Sequence, residues 1–199
     1  MTFKEKVRNI WDYDKWFIIG GIFVAIMVFL FIKDVFFKET ADFQIVSVSV
    51  GYLSKENVET TERYFSSFAP DKDGDGVSTV NLLNIEFSPE HAKNPQLDRD
   101  ASTQLIAELS LQQNCLFIID KANFEAIWKG DYSSLCDLSS LSEKFEEGTF
   151  FIPISQTAIK DNLPFYDEDL LFIIRIPYDN RYKDDYELYL KLAESLLNS

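Results

Sequence analysis

The chain has 199 residues and a formal net charge of −14 at pH 7. Residues 1–40 hold six of the 19 Lys and Arg and five of the 33 Asp and Glu, so the rest of the chain carries 13 cations and 28 anions, a net charge of −15. This acidity argues against nucleic acid as a partner, because a polyanion is bound through a basic surface. The 159 residues after position 40 suffice for one domain with a core, and not comfortably for two.

The first feature along the chain is an apolar stretch, residues 17–32, which contains no charged residue. As a helix it would rise roughly 25 Å, and it can extend further, so we predict a transmembrane anchor over residues 16–37 behind a cytoplasmic head of residues 1–15. Lys and Arg are more numerous before the stretch than after it, which predicts a single-pass protein of the cell membrane with an extracellular C-terminal domain. The alternative is a cleaved signal peptide, but the stretch runs on instead of ending in a small-residue cleavage site.

Apolar runs and helical patterns alternate after a short polar linker over residues 38–42. We predict strands at residues 43–50, 78–87, 115–119, 150–154 and 170–176, and helices at residues 55–68, 99–112, 122–128 and 183–197. Ser54 and Asp120 are expected to cap two of these helices, and Leu105, Ile106 and Leu109 to form the buried stripe of another. This order predicts an α/β fold over residues 43–199, a single sandwich lobe with a mainly parallel or mixed sheet of about five strands.

The most specific motif is DKDGDG, residues 71–76, between the first helix and the second strand of this domain. Carboxylates at alternate positions with a glycine turn are typical of Ca²⁺ loops, so Asp71, Asp73 and Asp75 are expected to supply side-chain oxygens and Val77 its carbonyl. The segment resembles the first half of an EF-hand loop, although Leu82 stands where that family has its bidentate Glu. The alternative is a solvated polar turn. We predict a structural Ca²⁺ ion.

Two cysteines, Cys115 and Cys136, fall in the predicted extracellular domain. A disulfide between them would stabilise the domain by roughly 3 kcal/mol in the chain-entropy model. Two buried thiols that fill the core are an equally acceptable alternative.

Catalytic motifs are lacking in the sequence. The single histidine, His91, is predicted to lie in a loop, and no GxSxG, HExxH or GxxxxGK[ST] pattern occurs. The paired acids Glu146 and Glu147, and the run of residues 167–169, are more typical of solvated loops than of acid/base catalysts. The domain is therefore predicted not to be an enzyme.

The layout resembles a family of small membrane-anchored proteins of Gram-positive anaerobes. The resemblance depends on the segment VRNIWDYDKWFIIGGIF, the DKDGDG loop that opens a strand, and the later strand CLFIID. Those proteins are similar to single lobes of type 2 extracellular solute-binding proteins, and the resemblance implies an α/β lobe held at a membrane.

Ligands of α/β sheets bind beyond the carboxyl ends of the strands, which nominates Gly51, Tyr52, Ser54, Asp120 and Asn123, although ordinary turn and cap chemistry is the favoured explanation for these residues. We predict a membrane-tethered, non-enzymatic extracytoplasmic domain that binds Ca²⁺ structurally and contacts the lipid bilayer and an envelope protein. The alternative is a solute-binding receptor subunit that works with a transporter and takes a small-molecule ligand. An envelope hydrolase is a third, less favoured hypothesis.

Overall fold

The computed structural model describes residues 15–17, 19–31, 41–50, 53–88, 95–163 and 169–199. The chain divides into two compact units, Met1–Thr40 and Ala41–Ser199. In the first unit residues 15–17 and 19–31 are helical, and their side chains are exposed.

The predicted membrane anchor over residues 16–37 is wrong. Across the described parts of both units, no helix is long and apolar enough to cross a membrane. The location that depended on the anchor, a single-pass cell-membrane protein with an extracellular domain, is wrong with it.

The second unit is an α/β domain built on one five-stranded sheet. Its strands are β1 Phe43–Val50, β2 Val80–Phe87, β3 Leu116–Asp120, β4 Phe151–Pro153 and β5 Leu170–Ile174. Its α-helices are α1 Lys55–Ser66, α2 Pro95–Leu111, α3 Lys121–Trp128 and α4 Lys183–Leu197. In the described parts of the connections, short 3₁₀ helices lie at Leu138–Ser140, Ile154–Gln156, Ala158–Asn162 and Asn180–Tyr182.

The sheet is mixed, with the strand order β2-β1-β3-β5-β4. Strand β1 pairs in parallel with β2 and β3, and helical crossovers connect these three strands. Strand β5 lies between β3 and β4 and is antiparallel to both. The connection from β4 to β5 contains 3₁₀ turns in its described part, which suits an antiparallel return rather than a parallel crossover.

Alternation along the strands builds two cores, one on each face of the sheet. On one face Ile45, Ile118 and Phe172 pack with residues of α1 and α4. On the other face Val46 and Phe117 pack with residues of α2 and α3. All five residues of β3 and of β5 are buried, because helices cover both faces of these inner strands.

Strand β2 forms one edge of the sheet, and side chains from helices bond to its outward N–H groups. Val80 N donates to Ser66 Oγ at 2.9 Å, and Leu82 N donates to Glu62 Oε1 at 2.9 Å. Just beyond the strand, Ser88 N donates to Asp98 Oδ1 at 2.8 Å. Helices α1 and α2 therefore take up hydrogen-bonding groups that a further strand would otherwise need.

The C-terminal helix α4 is joined to β1 by a buried tyrosine. Tyr189 is 4% exposed, and its hydroxyl accepts from Gln44 N at 3.1 Å and donates to Gln44 O at 3.0 Å. Strand β3 pairs with β1 from Val46 onward. At Gln44, before this pairing begins, the tyrosine hydroxyl bonds to the backbone groups that point to the β3 side of β1. The ring also packs edge-on against Phe43, at 5.1 Å between centroids.

Candidate functional site

The acidic loop between α1 and β2 is organised around the carboxylate of Asp71. Its Oδ1 accepts from Gly74 N at 2.7 Å and its Oδ2 accepts from Gly76 N at 2.9 Å. Both glycines have positive φ, 80° and 87°, a conformation that residues with a Cβ rarely adopt. The two glycines of the motif therefore let the backbone fold over the carboxylate.

The other two aspartates of the motif make tighter local turns. Asp73 Oδ1 accepts from Asp75 N at 3.0 Å, and Asp75 Oδ1 accepts from Val77 N at 2.7 Å. Each bond joins an aspartate to the N–H two residues later, the geometry of an Asx turn. These bonds fix the positions of the carboxylates on an exposed loop.

Asp42, the residue before β1, completes the site, and the sequence analysis missed it. Its Oδ1 accepts from Lys72 N at 3.2 Å, and its Oδ2 accepts from Thr79 N at 2.8 Å and from the Thr79 hydroxyl at 3.2 Å. The side chain is buried, 8% exposed. Asp42 is thereby bonded to both ends of the loop.

Ligand atoms of Asp42, Asp71 and Asp73 lie within 4.8 Å of one another, so this triad could hold a metal ion. Within the described ranges, no other group of three His, Cys, Asp or Glu residues has this geometry. Two of the predicted ligands, Asp71 and Asp73, belong to it. Asp75 and Val77 lie outside the triad, so their role as ligands stays a prediction.

The charges around the triad favour a bound cation. Three carboxylates at this spacing repel one another, and a cation bound among them would relieve the repulsion beyond what the N–H donors of the loop already do. The lysine inside the motif, Lys72, directs its ammonium group to Asp185 on α4, at 2.9 Å. Lys72 therefore joins the loop to α4, while Asp71 and Asp73 of the same loop approach Asp42.

The predicted ligand residues beyond the strands are helix caps where the structure describes them. Ser54 Oγ accepts from Asn57 N at 3.2 Å at the start of α1. Asp120 accepts from Asn123 N at 2.9 Å and from Asn123 Nδ2 at 2.7 Å at the start of α3. Gly51 and Tyr52 lie outside the described residues. The ligand-binding role of this set stays a prediction.

Cys115 and Cys136 are both buried and both free, the second of the two alternatives. Cys115 O accepts from Arg175 N at 2.7 Å on one side of the β5 segment, and Cys136 N donates to Ile174 O at 2.8 Å on the other. Backbones separated by an intervening strand are about 10 Å apart, whereas the Cα atoms of a disulfide lie at most about 6.8 Å apart. Burial raises the pKa of the Cys115 thiol to about 12.

The other residues considered for catalysis give no assembled site. Glu146, Glu147 and Asp169 are exposed. His91 and residues 167–168 lie outside the described residues. The prediction that the chain is not an enzyme stays a prediction.

A cleft of about 220 Å³ lies where β3 ends and α3 begins. Its walls come from the first turns of α3, the β4–β5 pair and the turn after α3. The lining residues are Lys121, Phe124, Glu125, Tyr132, Phe151, Pro153, Asp169 and Leu171. These positions come from four separate stretches of the chain, and no local sequence pattern marks them. The cleft adjoins Asp120 and Asn123 without including them.

Comparison of the chain with models of protein families, with curated proteins and with solved structures finds no match in any of the three. The resemblance to single lobes of solute-binding proteins therefore stays a prediction.

Proposed function

We propose that the second unit is a non-enzymatic domain that binds one Ca²⁺ ion as a structural element. The observation that carries the proposal is the convergence of Asp42, Asp71 and Asp73 within 4.8 Å. Two of these residues belong to the DKDGDG loop, and the third immediately precedes β1. An ion bound to all three would hold the first strand of the domain against the loop that precedes the second.

The donor set supports Ca²⁺ over other ions. All three groups are carboxylates, which suit hard cations, whereas Zn²⁺ and Cu²⁺ sites favour imidazole or thiolate. Two oxygens bound to one Ca²⁺ at about 2.4 Å lie at most about 4.8 Å apart, and the three ligand atoms fall within that limit. Mg²⁺, at about 2.1 Å, would require every pair within about 4.2 Å and near-octahedral angles. Asp71 and Asp73 are exposed, so water can complete the shell.

The ion would act on stability rather than on a moving element. A ligand that binds only the native state stabilises it by about 2.7 kcal/mol at one hundred times its dissociation constant. For a domain of this size, that corresponds to a rise in melting temperature of about 5–11 °C. If the ion is structural, we expect this rise in melting temperature without a change in the fold.

The test is calorimetric titration and thermal unfolding of the full chain after chelator treatment. We expect one Ca²⁺ site in the titration and a Ca²⁺-dependent rise in melting temperature. Asp42→Asn and Asp73→Asn should abolish both, whereas Asp161→Asn removes an exposed charge elsewhere and should leave both unchanged. Since Asp42→Asn also disturbs bonds to Thr79, the decisive readout is the Ca²⁺-dependent increment. A flat titration of the wild-type chain, or a normal increment in Asp42→Asn, would contradict the proposal.

We also propose that the domain works through protein contacts. Leu111, Ile176 and Tyr178 are 52%, 39% and 71% exposed. Gln112 Oε1 accepts from Tyr178 N at 2.8 Å, which holds this segment beside the end of α2. A photocrosslinking residue at Tyr178 should give a discrete adduct in the source cells, and the same residue at exposed Ser102 should not. Equal labelling from both positions would contradict the proposal.

A further inference from the structure

The cleft beside α3 has an aromatic wall and is bordered by a backbone hydrogen bond. Lys121 N donates to Asp169 O at 2.9 Å, which joins the start of α3 to the chain entering β5. Phe151 and Pro153, on edge strand β4, face the cleft from the opposite side. The cavity is therefore bounded by backbone that hydrogen bonds hold in place.

Three rings form the wall. The ring centroids of Phe124 and Phe151 are 4.9 Å apart, those of Phe124 and Tyr132 are 5.8 Å apart, and those of Tyr132 and Phe151 are 5.7 Å apart. Phe124 is 2% exposed and anchors the group, whereas Tyr132 and Phe151 are half-buried and present part of their rings to the cleft. The faces of aromatic rings carry negative potential and attract cations.

Among the described residues that line the cleft, carboxylates outnumber cations. Glu125 and Asp169 line the cleft together with one lysine, Lys121. Lys121 Nζ lies 4.0 Å from Glu125 Oε1, and both side chains are largely exposed, so a ligand can displace this weak ion pair. The net charge of −15 over residues 41–199 attracts cations from a distance and repels anions.

The size of the cleft limits the occupant. A volume of about 220 Å³ equals roughly seven water molecules at about 30 Å³ each. This is smaller than the sites of drug-sized ligands, which have volumes of about 300–1,000 Å³. A small molecule with one short apolar body fits these dimensions.

We propose that this cleft binds a small organic ammonium ion whose apolar body lies against Tyr132 and Phe151. The ammonium group faces Glu125 and Asp169, and Pro153 contacts the apolar body from the β4 side. This binding is independent of the metal triad and uses none of its residues.

The test compares two probes of nearly equal shape, phenethylammonium and neutral 2-phenylethanol, by NMR titration of the full chain. We expect saturable shifts at residues 121–125, 132 and 151–153 with the ammonium probe, and binding at least tenfold weaker with the alcohol. Added salt should weaken ammonium binding. The same titration with and without Ca²⁺ separates this site from the metal triad.

Two exposed carboxylates provide matched variants. Glu125→Gln should weaken binding of phenethylammonium about tenfold, whereas Glu146→Gln, which removes an exposed charge outside the cleft, should not change it. Tyr132→Leu should weaken both probes, since it removes a ring of the wall. Equal binding of the two probes, absence of saturable shifts at the cleft, or normal binding by Glu125→Gln would overturn the proposal. Binding of a lysine-containing peptide without binding of the free ammonium ion would overturn it as well.

Discussion

Removal of the Tyr189 hydroxyl tests how α4 is joined to the sheet. Tyr189→Phe keeps the ring and its edge-on contact with Phe43, but it removes the group that bonds to both Gln44 N and Gln44 O. Phenylalanine can neither donate nor accept, so a backbone donor and a backbone acceptor lose their partner in one substitution.

The expected cost follows from these two groups. Leaving a buried polar group unsatisfied costs about 1–3 kcal/mol, and Gln44 is half-buried, which places each group in the lower part of that range. The free energy of unfolding should therefore fall by about 2–3 kcal/mol. At about 2–4 °C per kcal/mol for a domain of this size, the melting temperature should fall by about 4–12 °C.

Urea titration followed by circular dichroism measures the free energy directly, and thermal unfolding checks it. Tyr178→Phe is the matched control, because Tyr178 is 71% exposed and its hydroxyl lies outside the core. The control should stay within about 0.5 kcal/mol of the wild type, the range of ordinary surface substitutions. The reasoning is refuted if Tyr189→Phe also stays within that range, or if both variants lose the same stability.

Three further predictions concern buried groups. Burial raises the pKa of the Cys115 thiol from 9.0 to about 12, so as pH rises the thiol loses its proton in the unfolded chain before it does so in the folded one. The stability that the protonated thiol contributes is therefore present below about pH 9 and is lost as pH rises toward 12. Cys115→Ala should lessen the fall in melting temperature over that range. An unchanged slope would contradict this. Asp120→Ala removes the N-cap of α3 and should cost about 1–2 kcal/mol in urea titration, against a few tenths for Glu125→Ala on the exposed side of the same helix. Phe124→Ala should cost about 3–5 kcal/mol and reduce the near-ultraviolet dichroism of Trp128, whose ring stacks at 5.0 Å; a loss below about 1 kcal/mol would show that the ring cluster is loosely packed.

Local patterns predicted the elements of the second unit well. The predicted strand at residues 43–50 and the predicted helix at residues 183–197 have the same bounds as β1 and α4. Both are long periodic segments, and their alternation or helical spacing is visible without any other part of the chain. The caps at Ser54 and Asp120 were predictable for the same reason, because a cap bonds to N–H groups a few residues away.

Burial within a helix was less predictable. Leu105 is 5% exposed, as the predicted stripe on α2 requires, but Ile106 is 64% exposed. Neighbouring residues on a helix point about 100° apart, so only a docked partner decides which of them faces the core. The sheet contacts α2 on the side of Ala101 and Leu105, and Ile106 faces outward.

Features that depend on strand order could not be derived from local patterns. Asp42 was assigned to a linker, yet the parallel register of β1 and β2, with Phe43 opposite Val80, places it beside the acidic loop. One signal would have identified Asp42 as a ligand. It is an acidic residue immediately before a strand, where that strand pairs with the strand that follows the acidic loop. The insertion of β5 between β3 and β4, which forms the cleft, has no comparable local signal.

The predicted anchor failed for a related reason. Composition alone suggested a membrane span over residues 16–37, but a span also requires a helix that is both long and apolar enough. None of the helices in the described residues combines that length with sufficient apolar character.

The outer edge of β2 is closed to a further strand by side chains of α1. Glu62 and Ser66 bond to the N–H groups of Leu82 and Val80, so an incoming chain would have to displace α1 before it could extend the sheet there. Pairing of another strand with this edge would thus require α1 to move away from β2 first, so the same two side chains that fasten α1 to the sheet also close the edge.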